Sequence, residues 1–353
     1  MLAIIAAVEF AVERTLPFKN ETAESWAIKG KLASRDTSKE GVLIFGDSLL
    51  QYGVYPRLIE DETGRPSYNY ALPGGSPESS LFLLERVLAA GARPDVILVD
   101  FPPFQTSRIP RLEEVRRRFL PEALDLLALA TLVRSARTID YPSSIAAASL
   151  LPSLKLRHEI RDSLSAALDG QSRANEAYCV TLTLRNLEAN LGAIALPEGI
   201  RRQPDHRPIL SDFSQPPDPA KQDALRRFLE LATSRQIRVF WVIPPISPEF
   251  QRCSEYWGYD ASQTRYVNET LARSSGCTPI DLRKIGLPWT AFHDGLHLNR
   301  SGATVVTRAV ARVVAARSTG VGRFDARGGS PRIEDMYESS AVLGLVAPPE
   351  RRR

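Results

Sequence analysis

An α/β fold with a central parallel sheet is what this sequence predicts. Two observations carry the prediction: almost wholly apolar runs of strand length alternate with longer runs of helical period, and Gly, Pro or Asp punctuates nearly every junction. Parallel strands covered on both faces read as continuous apolar runs, whereas half-exposed antiparallel strands alternate in polarity.

The first strand is Val42 to Phe45, which breaks at Gly46-Asp47-Ser48. Tyr55-Pro56 then opens a short helix that Gly64 can stop, because proline suits a first turn and glycine the position after a last one. Ser67 to Leu72 is the second strand. Leu81, Leu84, Val87 and Leu88 share one face of a helix over Glu78 to Ala90, with Gly91 as its stop. Asp95 to Phe101 is the third strand. Asp218-Pro219 caps a helix that turns Leu225, Phe228, Leu229 and Ala232 inward, before a fourth strand over Ile237 to Ile243 stopped by Pro244-Pro245. A helix over Ala261 to Ser275, a strand over Cys277 to Leu282 and a helix over Gly302 to Val314 complete the alternation. Such units cross over right-handedly and leave ligands at the carboxyl ends of the strands.

Residues 105–216 break this pattern with long helix-forming stretches, such as Leu112 to Arg134 and Lys155 to Leu168. They predict a helical insertion at the edge that carries the strand ends, with a lid, a specificity surface, a dimer contact or a plain helical cover as its alternative roles. Ala123 to Val133 is too short to span a bilayer. At the N-terminus, Met1 to Val12 is apolar apart from Glu9, and the polar segment Glu13 to Glu40 resembles a tether. An ordinary helix and the remnant of a membrane anchor are both compatible with it, and the tether favours the second. The resulting division is 1–40 apolar segment and tether, 41–104 first part of the core, 105–216 insertion, 217–316 second part of the core, and 317–353 a flexible tail.

Composition narrows the chemistry. A net charge of +4 from 45 basic and 41 acidic residues is nearly balanced, and no basic stripe with interleaved aromatics appears, which argues against nucleic acid as a partner. The three cysteines, Cys179, Cys253 and Cys277, have no zinc-ligand spacing, so neither a metal nor another cofactor is expected. Cys253 and Cys277 are read as buried free thiols, with a disulfide as the alternative if the chain is exported.

The motifs at the two ends of the core are the functional signal. A serine hydroxyl is a weak nucleophile until an imidazole takes its proton and a carboxylate holds that imidazole's tautomer. Ser48 stands at the mouth of the first strand, and His293 to Asn299 reads HDGLHLN, with Asp294 and His297 three apart. Gly-Asp-Ser after the first strand, Asp-X-X-His before the last helix, and Asn69-Tyr-Ala-Leu-Pro-Gly-Gly between them resemble the SGNH (GDSL-type) hydrolase family. That resemblance, over about residues 40–105 and 217–316, implies a flavodoxin-like SGNH three-layer sandwich with a central parallel sheet. It further implies Ser48 as nucleophile, His297 as general base, Asp294 as its orienting carboxylate, and an oxyanion hole from the backbone N–H groups of Ser48 and Gly74, with Gly75 the neighbouring alternative. The family's Gly-X-Asn-Asp block is absent: the third strand leads into Asp100-Phe101-Pro102-Pro103-Phe104, which leaves no asparagine donor. Substitute donors are sought in Gln105, the insertion, or closure on substrate. His293 is read as a loop residue beside the motif, and His158 and His206 as surface or structural.

Three functions follow from the resemblance. The first is an esterase that removes an acyl group, most simply O-acetyl, from a small molecule or carbohydrate. The second is an O-acyltransferase of an envelope polysaccharide, similar to the alginate O-acetyltransferase-like branch. The third, suggested by the missing asparagine, is a non-catalytic carbohydrate-binding protein. The expected location is the cell envelope or a membrane surface, with the cytoplasm as alternative.

Overall fold

The structure, a computed structural model, describes residues 2–14, 21–35, 41–107, 174–198, 218–274 and 276–318, with isolated positions between 153 and 168. The chain divides into two units, Met1–Arg35 with Ile109–Ala189, and Asp36–Arg108 with Asn190–Arg353.

Five strands form one parallel sheet: β1 (Val42–Phe45), β2 (Ser67–Asn69), β3 (Val96–Val99), β4 (Arg238–Ile243) and β5 (Cys277–Asp281), in the order β2-β1-β3-β4-β5. The described helices of the first part of the chain are α1 (Leu2–Arg14), α2 (Glu21–Leu32), α3 (Ser48–Gly53), α4 (Pro56–Thr63), α5 (Pro77–Ala89) and α6 (Pro103–Ser107). Those that follow are α7 (Ala174–Ala189), α8 (Pro219–Ser234), α9 (Pro248–Tyr256), α10 (Tyr259–Ala272) and α11 (Arg300–Ser318), with a 3-10 turn at Trp289–Ala291.

The second unit is an α/β sandwich around this sheet. Val42, Ile44, Val96 and Leu98 pack with Val306 and Val310 of α11 on one side. On the other, Phe45 meets Phe228 of α8 edge-on with ring centroids 5.5 Å apart, and Phe101 bridges Phe228 and Trp241. Every residue of β1 and β3 is fully buried, which is why both read as unbroken apolar runs. Strand order reverses beside β1, whose neighbours β2 and β3 lie on opposite sides, so the crevice for a ligand opens at the carboxyl end of β1.

Several expectations change in detail. The ladder of β2 stops at Asn69 rather than Leu72, although Tyr70 N–H still donates to Ile44 and Leu72 N–H to Gly46. Helix α9 has no counterpart in the sequence reading; only Phe250 and Ser254 are buried on it, too few for an apolar period. Asn190 to Glu198, assigned to the insertion, belongs with the core: Leu191 O accepts from Asn69 N–H, Ile194 N–H donates to Gln51 O, and Ala193 is fully buried. Cys253 and Cys277 are both free, the first exposed on α9 and the second buried in β5.

In the first unit, Glu21–Leu32 is helical rather than a tether, and it buries Trp26 and Lys29. Glu9, the charged interruption of the apolar run, accepts both the N–H and the hydroxyl of Ser153. No helix among the described residues is long and apolar enough to cross a membrane. The expected helices over Leu112 to Arg134 and most of Lys155 to Leu168, together with His158, His206 and the tail beyond Ser318, lie outside the described residues.

Asn69 ties β2 to the turn after α3. Its Nδ2 donates to Leu50 O at 2.9 Å and Val54 O at 3.0 Å, and its Oδ1 accepts from Ala71 N–H at 2.9 Å. All of this is buried, so truncation orphans backbone groups that water cannot reach. Asn69→Ala is expected to cost about 2 kcal/mol or more, seen as a lower urea midpoint with an unchanged m-value.

Candidate active site

The site is built from four loops of the second unit, starting at the end of β1. Gly46 has φ 136°, and a Cβ there would lie 1.7 Å from Asp100 Oδ1, so only glycine fits the chain between β1 and the end of β3. Asp47 then caps α3: its backbone is extended and its Oδ1 accepts Leu49 N–H at 2.7 Å. Ser48 is the first residue of that helix.

Asp294 and His297 lie on the loop between the 3-10 turn and α11. An isolated antiparallel bridge, Phe292 to Leu298, closes the loop, and His293 N–H donates to His297 O at 2.8 Å. Asp294 Oδ1 accepts the N–H groups of Leu296 and His297, each at 2.8 Å, which turns its Oδ2 to the imidazole. Asn299 anchors the far end: its Nδ2 donates to Thr290 O at 2.7 Å and its Oδ1 accepts Gly302 N–H. From the β4 side, Ser247 N–H donates to Gly295 O at 3.0 Å.

The structure brings Ser48, His297 and Asp294 into one line. His297 Nδ1 is 2.8 Å from Asp294 Oδ2, and His297 Nε2 is 2.9 Å from Ser48 Oγ. A carboxylate can only accept, so Nδ1 carries the proton and Nε2 accepts from the serine hydroxyl. Burial alone would raise the Asp294 pKa, but the His297 ring, and the N–H groups of His297 and Leu296, outweigh it and hold the carboxyl far below the usual carboxylate range. Asp294 is therefore anionic at any pH where the imidazole is neutral. Tyr52 of α3 meets the His297 ring edge-on at 5.1 Å, a contact that the sequence reading missed and that fixes the ring from its free side. His293 faces elsewhere: its Nδ1 is 3.3 Å from Pro197 O, a structural bond outside the line.

The glycine segment packs directly on the turn. A Cβ on Gly75 would come within 2.2 Å of Gly46 O, so this position has no room for any side chain. Gly75 N–H donates to Leu72 O at 2.8 Å, which engages it within the segment. Gly74 holds φ 64°.

The exit of β3 supplies support rather than the missing asparagine. Gln105 Nε2 donates to Asp47 Oδ2 at 3.2 Å, and Gln105 O in turn accepts from the buried Lys221 Nζ at 2.8 Å. Asp47 N–H donates to Asp100 Oδ1 at 2.9 Å. A largely apolar cleft of about 30 Å³ is lined by Leu49, the residue after Ser48, and by Phe101, Trp241, Ile246, Phe250 and Leu296.

No protein-family model matches the chain, and no curated protein matches it in sequence. Among solved structures, one described as "a putative platelet activating factor" from Streptococcus pneumonia matches with a TM-score of 0.39 and 10% identity, over 89% of this chain and 99% of that one. Likeness at that level carries no functional assignment, which has to come from the site itself.

Gly75→Ala is expected to push the Gly46 carbonyl and shift Ser48 away from His297. A displacement near 1 Å costs about a hundredfold in reactivity, so the folded variant should react with a serine-directed phosphonate about a hundredfold more slowly. An unchanged rate would show that the glycine segment does not set the position of Ser48.

Proposed function

We propose that this protein is a serine-dependent esterase of the SGNH (GDSL) type, removing a short acyl group, most simply acetyl, from a carbohydrate or small-molecule ester. The observation that carries this reading is the unbroken hydrogen-bonded line from Asp294 through His297 to Ser48, at 2.8 and 2.9 Å. Ser48 Oγ attacks the ester carbonyl carbon while its proton passes to His297 Nε2. The imidazolium so formed is stabilised by the Asp294 carboxylate. The carbonyl oxygen gains negative charge in the tetrahedral intermediate, and the N–H groups of Ser48 and Gly74 are assigned to it. Collapse expels the alcohol, which takes the proton from His297, and leaves an acyl group on Ser48. Water repeats the sequence and releases the acid. The narrow apolar cleft beside Leu49 and Leu296 suits a short acyl chain.

The test is a fluorophosphonate probe followed by peptide mapping. Ser48 is expected to carry the label, and Ser48→Ala and His297→Ala to abolish it in folded protein. Asp294→Asn keeps the acceptor for the two loop N–H groups but lets the imidazole adopt the wrong tautomer, so turnover should fall about a thousandfold or more. Labelling at another serine, or none, would overturn the reading and leave a binding protein. Product analysis with and without a sugar acceptor separates hydrolysis from acyl transfer to an envelope polysaccharide.

The missing asparagine sets the expected rate. Pro102 and Pro103 have no N–H, and the Gln105 amide bonds to Asp47, so two backbone donors serve the oxyanion. Lacking one donor costs about a hundredfold to a thousandfold in turnover. Hydrolysis of p-nitrophenyl acetate should accordingly be slow, with faster turnover on a true substrate that supplies further binding. Fast, unselective hydrolysis would contradict this account of the oxyanion hole.

A further inference from the structure

Two buried carboxyl groups stand behind Ser48, and the proposed chemistry uses neither. Asp47 and Asp100 are each 1% exposed. Asp47 has donors on both oxygens, Leu49 N–H at 2.7 Å on Oδ1 and the Gln105 amide at 3.2 Å on Oδ2. Asp100 differs. Its Oδ1 accepts Asp47 N–H at 2.9 Å and fills the space that a Gly46 side chain would need, while its buried Oδ2 meets no donor among the described residues.

An anionic Asp100 would be doubly unfavourable, buried with a bare oxygen and beside a second carboxylate. A neutral carboxylic acid removes both costs, because its O–H needs an acceptor and a neighbouring carboxylate is a strong one. The surrounding charges leave this balance in place. His297 acts on Asp47 from the base loop, and Lys221 on α8 donates to the Gln105 carbonyl. Arg283 lines the same cleft, but its guanidinium is paired with Asp281 and Asp260. Burial first, and the Asp47 charge second, push the Asp100 acid well above the usual carboxylate range. Burial raises Asp47 as well, but Asp47 has a donor on each oxygen whereas Asp100 Oδ2 has none among the described residues, so the proton of the pair rests on Asp100.

We propose that Asp100 is a positioning residue that works as a neutral carboxylic acid, sharing one proton with Asp47 and so locking the turn that presents Ser48. Its effect on reactivity rests on the esterase reading; the proton itself is detectable without it. Ionisation of Asp100 as pH rises sets two carboxylates against each other at the foot of the nucleophile, and the turn loosens.

Asparagine copies the neutral acid, with an acceptor for Asp47 N–H and a donor for the Asp47 carboxylate, and alanine removes both. Phosphonate labelling of Ser48 should stay within about threefold of wild type in Asp100→Asn and fall about tenfold or more in Asp100→Ala, the equivalent of one lost buried hydrogen bond. Wild-type labelling should also decline at alkaline pH, and that decline should vanish in Asp100→Asn. Infrared spectra at neutral pH should show the carbonyl stretch of a protonated carboxyl, present in wild type and in Ser48→Ala and absent in Asp100→Asn. The stability signature has a fixed sign. Asp100 unfolded titrates near the ordinary value of about 3.9 and folded well above it, so wild type should lose stability relative to Asp100→Asn as pH rises through that window. An absent protonated-carboxyl band, or an Asn variant as slow as the Ala variant, would overturn the proposal. If wild-type Ser48 takes no label, the esterase reading falls, and the infrared band with the pH-dependent difference in urea midpoint still decides the shared proton.

Discussion

Crowding of three chain segments around Gly46 is the constraint on which the rest of the site depends. The Leu72 N–H bonds to the Gly46 carbonyl, Gly75 lies against the same carbonyl where no side chain would fit, and the Asp100 carboxyl occupies the place of a Gly46 side chain. Two of these contacts come from the segment that follows β2 and the third from the exit of β3. Together they leave the backbone after β1 one route, which ends with Ser48 at the start of α3 facing the crevice where strand order reverses. Asp47, which caps α3, and Asp100, which accepts the Asp47 N–H, fasten the turn that carries Ser48.

The His297 imidazole is held by a separate device. Asp294 uses one oxygen to fold its own loop, through Leu296 and His297 N–H, and the other to orient the imidazole. One residue therefore couples loop shape to ring tautomer, and the strongly lowered pKa of its carboxyl reflects both. Asn299 and Ser247 fasten this loop to α11 and to the end of β4. The turn carrying Ser48 and the loop carrying His297 meet at the Ser48 hydroxyl, with Tyr52 reaching across from α3 to the ring.

Much of this was legible in the sequence, and what was not has physical causes. The strands β1 and β3 declared themselves because burial on both faces demands unbroken apolar runs. Ser48, Asp294 and His297 could be named because a turn after a strand and a three-residue spacing are local signals. Gly75 was named only through its motif; its close approach to the Gly46 carbonyl and its bond to Leu72 O are matters of loop geometry. Asp100 gave no signal as an acid apart: one Asp after an apolar strand looks like a turn, and the upward push on its acid comes from burial beside Asp47. Helix α9 buries too little to show a period, and Glu21–Leu32 was too polar to reveal that Trp26 and Lys29 are buried. Asn190 to Glu198 attaches to the core mainly through backbone bonds, which composition does not disclose.

The most direct measurement of the central claim, that Asp294 holds His297 ready to accept the proton of Ser48, is the nitrogen-15 spectrum of His297 with its ring neutral. The account predicts a protonated Nδ1, strongly deshielded by the Asp294 carboxylate, and a bare Nε2 whose shift changes when Ser48 is replaced by alanine. A proton on Nε2 in the neutral ring, or an Nε2 shift indifferent to Ser48→Ala, would contradict it.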